Sequence, residues 1–160
     1  MRFTTQAEYG LICSVHLARA KGGRPVAARE MAESENLPAD YTEKILRRLR
    51  QAGLVTAVRG VSGGFTLAKE PESISVKDII DATEGTTFEI NCTTHPVDAD
   101  RCDQSSDCSI RPVWYALRRR IDQLLSEIKL SDLIQDDEAA VRELISITWE
   151  KMPVTQTAAG

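Results

Sequence analysis

A polar segment that holds most of the cysteines is the strongest constraint on this chain. Three of its four cysteines, Cys92, Cys102 and Cys108, lie in the stretch NCTTHPVDADRCDQSSDC, with nine and five residues between them. The intervening residues are Thr, Asp, Ser, Gln and Pro with hardly any apolar side chain, so the segment cannot bury a core of its own. Another group must order it. Three thiolates and one further ligand are what a four-coordinate metal ion or an iron-sulfur cluster requires.

The spacing of these cysteines leaves several kinds of site open. The segment contains no Cys-x-x-Cys pair, and ferredoxin-type clusters use tighter spacings. A structural zinc ion held by the three cysteines and His95 is an alternative. Unrelated thiols on a loop, or one disulfide with a thiol left over, also satisfy the pattern. The segment by itself therefore predicts a metal site without specifying which metal.

The charge of the chain is divided between a basic and an acidic half. The 160 residues carry a net charge of −4. Residues 1–78 contain 12 Lys and Arg against 9 Asp and Glu, a net +3, whereas residues 79–160 contain 8 against 15, a net −7. This asymmetry indicates a basic functional half followed by an acidic one. At this length, with 42% hydrophobic residues, the chain can form one core with an appended helical segment.

Neither a signal peptide nor a membrane span is predicted. The apolar run at residues 11–18 follows Arg2, but Glu8 and His16 interrupt the pattern and the apolar residues recur with helical spacing. No stretch is long enough to cross a membrane. The sequence thus predicts a cytoplasmic protein, in which clustered cysteines indicate metal or redox chemistry more often than structural disulfides.

The first part of the chain has the pattern of a helix-turn-helix. Thr5-x-x-Glu8 is typical of a capping box at the start of a first helix, a short second helix is predicted at 27–34, and a third opens after Pro38. The apolar stripe of the third helix is Tyr41, Ile45 and Leu49. Its predicted solvent-facing residues are Thr42, Glu43, Arg47, Arg48 and Arg50. Two short helices joined by a tight polar turn, the second rich in arginine, indicate a DNA-reading motif.

A β-hairpin directly after the third helix completes a winged helix-turn-helix. Residues 54–59 and 65–68 are predicted strands, and glycines dominate the tip at 60–64. Arg59, at the base of this tip, is placed to enter a DNA minor groove, where the concentrated negative potential attracts a guanidinium. A short helix at 77–83 returns to the core. The predicted fold class is therefore mainly α with a small β-hairpin wing.

The segment after the cysteines predicts a long dimerisation helix. Pro112 is tolerated in a first helical turn, and apolar residues then recur at steps of four, four, three and four. They are Val113, Leu117, Ile121, Leu124 and Ile128. Because a lone winged helix reads only a short DNA site, pairing of two copies through this seam is favoured over packing on the same chain.

These patterns divide the chain into four parts. Residues 1–84 form the winged helix-turn-helix domain and residues 85–108 the cysteine segment. Residues 109–151 hold the dimerisation helix and a last amphipathic helix at 138–151, and residues 152–160 form a flexible tail. Since no phosphate loop, nucleophile-base pair or pair of catalytic carboxylates is recognisable, an enzyme is not predicted.

Several stretches resemble the Rrf2 family of bacterial winged-helix transcription factors, which includes IscR, NsrR and RirA. They are the start MRFTTQAEYGL, the run YTEKILRRLRQAGLV, the wing VRGVSGGFTLAK, the segment SVKDIIDATEG, the three-cysteine segment and the helix VWYALRRRIDQLL. The resemblance covers residues 1 to about 135. It implies a homodimer with crossing long helices, binding of double-stranded DNA by the N-terminal domain, and commonly an iron-sulfur cluster whose state changes DNA affinity.

The resemblance also implies a ligand set. The three clustered cysteines match the family's cysteine ligands in order, although the first gap is longer here. Some relatives have a histidine three residues after the last cysteine, where this chain has Arg111, which stays protonated and cannot ligate. Others use a carboxylate from the first helix of the partner chain, which matches Glu8; a capping role for Glu8 and ligation by His95 stay open beside it. Three cysteines and one carboxylate favour a 4Fe-4S cluster narrowly over 2Fe-2S.

For DNA contacts, the resemblance points to three positions. Tyr41, Glu43 and Arg59 match family residues that touch the duplex. A glutamate can accept a hydrogen bond from cytosine N4, which gives sequence discrimination rather than affinity. Arg47 and Arg48 are candidates for phosphate contacts on the same helix.

The leading hypothesis is a homodimeric DNA-binding regulator that senses iron, redox state or nitric oxide through the cluster. Such a cluster acts as an allosteric ligand only if it binds two conformations differently. One alternative keeps DNA binding and replaces the cluster with a structural zinc site or thiol-redox sensing. Another makes the chain an electron-transfer or cluster-carrier protein, and the basic wing argues against it.

Overall fold

The computed structural model describes residues 4–85 and 108–135. Its elements are α1 (Thr5–Arg19), α2 (Ala28–Ser34), α3 (Ala39–Gln51), β1 (Val55–Val58), β2 (Gly64–Leu67), α4 (Val76–Glu84), α5 (Arg111–Glu127) and α6 (Leu130–Leu133). Short 3-10 turns lie at Lys21–Gly23 and Pro71–Ser73. The predicted fold class, mainly α with a small β-hairpin wing, is confirmed. The helix predicted at 138–151 and the tail at 152–160 lie outside the described residues.

The core of the domain lies between α1, α3 and α4. Their apolar faces meet in one cluster, and Met31 of α2 closes one side of it with no exposed surface. The helical members of the cluster are Cys13, Leu17, Ile45, Leu46, Leu49 and Ile79. Each large aliphatic side chain buried in this way stabilises the fold by about 1.5–3 kcal/mol. Helix α3 is therefore fixed by packing on both α1 and α4.

The turn between α2 and α3 sets the geometry of the helix-turn-helix. Asn36 adopts a left-handed backbone with φ of 53°, a conformation that asparagine tolerates better than most residues. The next residue, Leu37, donates its backbone N–H to the Ala32 carbonyl at 2.8 Å and packs against the core. Pro38 then precedes the first residue of α3. A tight, hydrogen-bonded turn thus joins the two helices, as the sequence predicts.

The wing is anchored to the helix-turn-helix at both ends. Gly53 ends α3 with φ of +72°, which favours glycine, and β1 follows directly. The antiparallel pairs are Val55 with Leu67, Thr56 with Thr66, Ala57 with Phe65 and Val58 with Gly64. Val26, just before α2, exchanges backbone hydrogen bonds of 2.9 and 2.8 Å with Phe65 of β2. These bonds hold the returning strand against the start of the helix-turn-helix.

Replacing Gly64 by alanine is expected to destabilise the domain. A Cβ at this position would lie 2.5 Å from the carbonyl carbon and oxygen of Val26, backbone atoms that the hydrogen bonds to Phe65 hold in place. Relief of this clash is expected to lower the free energy of unfolding by about 1–3 kcal/mol, measured by urea denaturation. Ser62→Ala at the exposed tip is the control and should change it by less than about 0.5 kcal/mol. Unchanged stability of Gly64→Ala would contradict the close approach.

The end of α5 returns to the winged domain beside α4. The Val76 N–H donates to the Ile128 carbonyl at 2.9 Å, and the Leu130 N–H donates to the Ile74 carbonyl at 2.8 Å. Leu130 is fully buried. The start of α4 is itself fixed by a capping box between Ser75 and its third helical residue. The C-terminal end of α5 is therefore part of the same packed body as α4.

Candidate nucleic-acid interface and cysteine site

The outer face of α3 carries two of the residues expected to contact DNA. Glu43 and Arg47 form an ion pair one turn apart, with Arg47 Nη2 3.2 Å from Glu43 Oε1, and their side chains are 61% and 67% exposed. An exposed pair of this kind contributes little to stability. Breaking this ion pair therefore costs little free energy, and both side chains are available to contact DNA.

Two residues of α3 that were predicted to face solvent do not. Thr42 is fully buried, and its hydroxyl donates to the Pro38 carbonyl at 3.1 Å. Arg48 is half-buried, and its Nη1 donates to Gln6 Oε1 and to the Thr83 carbonyl. The predicted exposure of both was wrong because α3 packs on α1, α2 and α4, so its buried arc is wider than a single apolar stripe.

Tyr41 lies at the start of α3 and is half-buried. Its ring meets the ring of Tyr9 edge-on, with centroids 5.3 Å apart and an angle of 85° between the planes. This is a favoured geometry for an aromatic pair. The Tyr41 side chain is therefore held in place by α1 before any DNA arrives.

The wing places Arg59 as predicted, exposed at the base of the tip. The tip turns at Gly60, whose φ is +123°, and closes with a 3.0 Å hydrogen bond from the Gly63 N–H to the Gly60 carbonyl. Val61 projects fully into solvent. An exposed guanidinium beside a small, glycine-rich tip suits entry into a minor groove.

An apolar face of α5 is uncovered in the described chain. Val113, Trp114 and Leu117 lie along one side of α5, with Ile110 at its N-cap, and each is between 41% and 59% exposed. Tyr115 is 48% exposed on another side of the helix. Large apolar side chains grouped in this way mark a contact surface. The uncovered face coincides with the first half of the seam that the sequence predicts for dimerisation.

One of the three predicted cysteine ligands can be placed. Cys108 is half-buried just before α5, and its carbonyl accepts a hydrogen bond from the Arg111 N–H at 3.3 Å. Cys92, Cys102 and His95 lie outside the described residues. Within residues 4–85 and 108–135, no group of three or more His, Cys, Asp and Glu side chains is arranged to hold a metal ion. The ligand set therefore stays a prediction.

The capping box predicted from Thr5 and Glu8 is wrong. Thr4 caps α1, and its Oγ1 accepts from the Gln6 N–H at 3.1 Å. The carboxylate that meets the cap belongs to Glu84 of α4, whose Oε1 lies 2.7 Å from the Thr4 nitrogen. A residue distant in sequence thus takes the role that the local pattern assigned to Glu8. The Glu8 side chain is exposed in the first turn of α1.

Cys13 and His16 belong to the packing of α1. Cys13 is fully buried in the main apolar cluster. Burial raises the pKa of its thiol to about 12, and the negative charge of Glu35 acts in the same direction. The Nδ1 atom of His16 lies 2.6 Å from Glu35 Oε1. A buried, protonated thiol is a poor metal ligand, which separates Cys13 from the three clustered cysteines.

Cys13 is expected to resist alkylation while the other three cysteines react. At pH 8 a thiol with a pKa of about 12 is almost wholly protonated, and Cys13 has no exposed surface. Iodoacetamide should label Cys92, Cys102 and Cys108 of metal-free protein, and Cys13 only after unfolding in guanidinium. Peptide mass spectrometry measures each site. Labelling of Cys13 in the folded protein at the rate of the others would contradict this result.

The domain has a tight helix-turn-helix whose second helix exposes charged side chains, and an anchored wing follows it. These features define a winged-helix DNA-binding protein. The family model Rrf2, described as an iron-dependent transcriptional regulator, matches residues 3–136. The chain belongs to the Rrf2 family of transcriptional regulators.

Relatives with solved structures support this assignment. CymR of Bacillus subtilis is 31% identical over 133 residues, which are 83% of this chain and 89% of CymR. The structure of this CymR, described as the global cysteine regulator, has a TM-score of 0.67 at 29% identity and covers 84% of this chain and 96% of its own. The structure of T. potens IscR has a TM-score of 0.64 at 33% identity and covers 88% and 90%. IscR of Vibrio cholerae is 29% identical over 144 residues, 86% of this chain and 78% of that protein.

The family consists of transcriptional regulators, in agreement with the prediction that the chain is not an enzyme. In the part of the chain that the structure describes, no helix has the length and apolar character needed to cross a lipid bilayer.

Sequence patterns missed the contacts of Gln6, Thr83 and Glu84, because each joins residues far apart in the chain and leaves no local signal.

Proposed function

We propose that this Rrf2-family regulator is a homodimer that senses iron, redox state or nitric oxide through an iron-sulfur cluster. The observation that carries the proposal is the exposed carboxylate of Glu8. Its position matches a family ligand, and the capping role that would have explained it is taken by Thr4 and Glu84. The description of the matching family as iron-dependent adds to this support.

The donor set suits such a cluster. Cys92, Cys102 and Cys108 offer three thiolates, and Glu8 of the partner subunit would complete four ligands. We infer 4Fe-4S rather than 2Fe-2S from this set, with His95 as the rival fourth donor. When bound, the cluster supplies a labile, redox-active group that reacts with oxidants and nitric oxide. The helices next to the cysteine segment would transmit the state of the cluster to the DNA-binding domain.

That response involves the elements on either side of the cysteine segment. Cys108 stands at the beginning of α5, so holding its thiolate fixes the start of that helix. The far end of α5 is hydrogen-bonded to α4 through Val76 and Ile128. A ligand that favours one arrangement of these helices shifts the protein toward it by its difference in affinity for the two arrangements.

DNA reading falls to α3 and the wing. We infer that Tyr41, Glu43 and Arg47 contact the major groove, where Glu43 accepts from cytosine N4, and that Arg59 enters the adjacent minor groove. Arg48 is left out of this set because its guanidinium is held by protein acceptors. Two copies paired through α5 would read two half-sites in the cytoplasm, and their affinity should fall steeply with salt.

A regulator that senses thiol chemistry without a cluster is the second candidate. The likeness to CymR, described as a global cysteine regulator, favours it. In this version the clustered cysteines act as reactive thiols. A zinc ion on the three cysteines and His95 would be the metal-bound form of the same alternative.

Metal and sulfide analysis of protein purified without oxygen separates these candidates. Visible absorption together with iron and acid-labile sulfide supports the cluster. About one zinc per chain in a colourless protein supports the zinc site, and the absence of both metals supports the thiol regulator. Affinity for a duplex selected from a randomised pool, with and without the cluster, then tests control of DNA binding. Equal affinities would contradict the proposed function.

A further inference from the structure

One guanidinium joins three helices of the domain. Arg48 lies in the last turn of α3, the helix that also carries Glu43 and Arg47. Its Nη1 donates to Gln6 Oε1 in the first turn of α1 and to the Thr83 carbonyl in the last turn of α4. The side chain therefore connects the recognition helix to both of these turns.

The two turns contacted by Arg48 are close in sequence to the segments that hold the proposed ligands. Gln6 stands two residues before Glu8 in the same turn of α1. Thr83 stands two residues before Gly85, where α4 ends and the cysteine segment begins. The carboxylate of Glu8 thus lies within one turn of Gln6, and the cysteine segment begins two residues after Thr83.

The two turns also form one unit with each other. The Thr4 N–H and hydroxyl donate to Glu84 Oε1 at 2.7 and 2.5 Å. α1 and α4 approach closely at Gly10, where a Cβ would lie 2.7 Å from Thr83 Cγ2. A shift of either turn therefore moves the other, and Arg48 is a polar link from this unit to α3.

The chemistry of the contact explains why an arginine stands here. The Thr83 carbonyl is among the last carbonyls of α4, which lack partners within the helix and carry the negative end of its dipole. The Nη1 atom of a guanidinium carries two N–H groups in a fixed plane, so it can donate one to this carbonyl and the other to Gln6 Oε1. An ammonium is a single flexible point charge and cannot reproduce that plane.

We infer that Arg48 is a positioning residue that couples the sensing region to the recognition helix. Movement of the α1 and α4 turns acts on α3 through this guanidinium and changes how Glu43 and Arg47 meet DNA. The inference rests on the proposed function, which supplies the ligand that moves the turns. It adds the residue through which that ligand acts, and it differs from a purely capping role, which would stabilise the fold without altering the response to the ligand.

The test compares the DNA affinities of cluster-loaded and cluster-free protein for Arg48→Gln and Arg48→Lys. In the wild type we expect the two forms to differ by about 5- to 150-fold, the usual range of allosteric coupling. Both variants should reduce this ratio to within about twofold of one, because coupling is lost when its connecting contact is removed. Arg47→Gln is the matched control: it should weaken both forms alike and keep the wild-type ratio.

A second readout needs no cluster. Since coupling is reciprocal, saturating duplex should alter amide hydrogen exchange in the α1 and α4 turns of metal-free wild-type protein. The peptides to follow cover residues 4–10 and 80–85. The change should vanish in Arg48→Gln and persist in Arg47→Gln. If Arg48→Gln fails to fold, Gln6→Leu removes only the contact to α1 and serves in its place.

The outcomes separate the inference from the proposed function. The inference would be overturned if Arg48→Gln and Arg48→Lys both kept the wild-type ratio of DNA affinities and the wild-type change in amide hydrogen exchange on binding the duplex. The proposed function would then still stand. A wild-type ratio of one would overturn the proposed function, and with it the role of Arg48 in cluster sensing. Loss of both the ratio and the exchange response in the Arg48 variants alone supports the coupling role.

Discussion

Replacing Leu117 by glutamate is expected to convert a dimer into monomers and to abolish tight DNA binding. Leu117 lies at the C-terminal end of the uncovered apolar face of α5. In a paired seam its side chain would be buried, and an unpaired carboxylate there weakens association by on the order of 3–5 kcal/mol, which is about two to four decades in the dimer dissociation constant. Sedimentation velocity measures the assembly.

The loss of DNA affinity follows from the loss of pairing. Two linked modules bind about 10² to 10⁴ times more tightly than either alone, so the variant should bind its selected duplex at least about a hundredfold more weakly. Gln123→Glu changes the net charge by the same amount on the opposite side of α5, where the side chain is exposed and bonded to Glu127. It should stay dimeric. If the Leu117→Glu variant stayed dimeric and bound DNA with wild-type affinity, pairing through this face of α5 would be contradicted.

Local patterns were sufficient to predict the elements of this domain. The glycine that ends α3, the hairpin after it and the long helix after Pro112 each follow from residues close together in the chain, and the structure confirms all three. Turn chemistry and periodicity act over a few residues, so a sequence displays them directly. The family resemblance and the predicted fold class also depend on short sequence patterns.

Contacts between distant segments could not be predicted in this way. The first helix has the local pattern of a capping box at Thr5 and Glu8, yet Thr4 caps it with help from Glu84. Arg48 looks solvent-facing on a helical wheel, but α1 and α4 supply acceptors from both sides. Both errors arise because tertiary packing brings together groups that no sequence window contains. The same contacts, between Arg48, Gln6 and Thr83, are the ones from which the coupling is inferred.

Replacing Cys108 by alanine is expected to remove the cluster completely. Cys108 would supply one of three thiolates and stands just before α5, so its loss leaves only two thiolates and detaches the site from that helix. Iron, acid-labile sulfide and visible absorption should all fall to background in protein purified without oxygen. The DNA affinity of the variant should equal that of cluster-free wild type, because the reading face on α3 is untouched.

Two further variants serve as controls for the loss of the cluster: Cys13→Ala removes a cysteine that is not a proposed ligand, and Glu8→Gln changes the proposed fourth ligand. Cys13→Ala removes a thiol from the core and should retain the full cluster, at a cost of about 1 kcal/mol in the free energy of unfolding. Glu8→Gln replaces a carboxylate by a weaker neutral donor, so its cluster should assemble on the three thiolates and decay faster in air than that of the wild type. An intact cluster in Cys108→Ala would exclude this cysteine as a ligand. Wild-type decay in Glu8→Gln would assign the fourth position to another donor, of which His95 is the first to test.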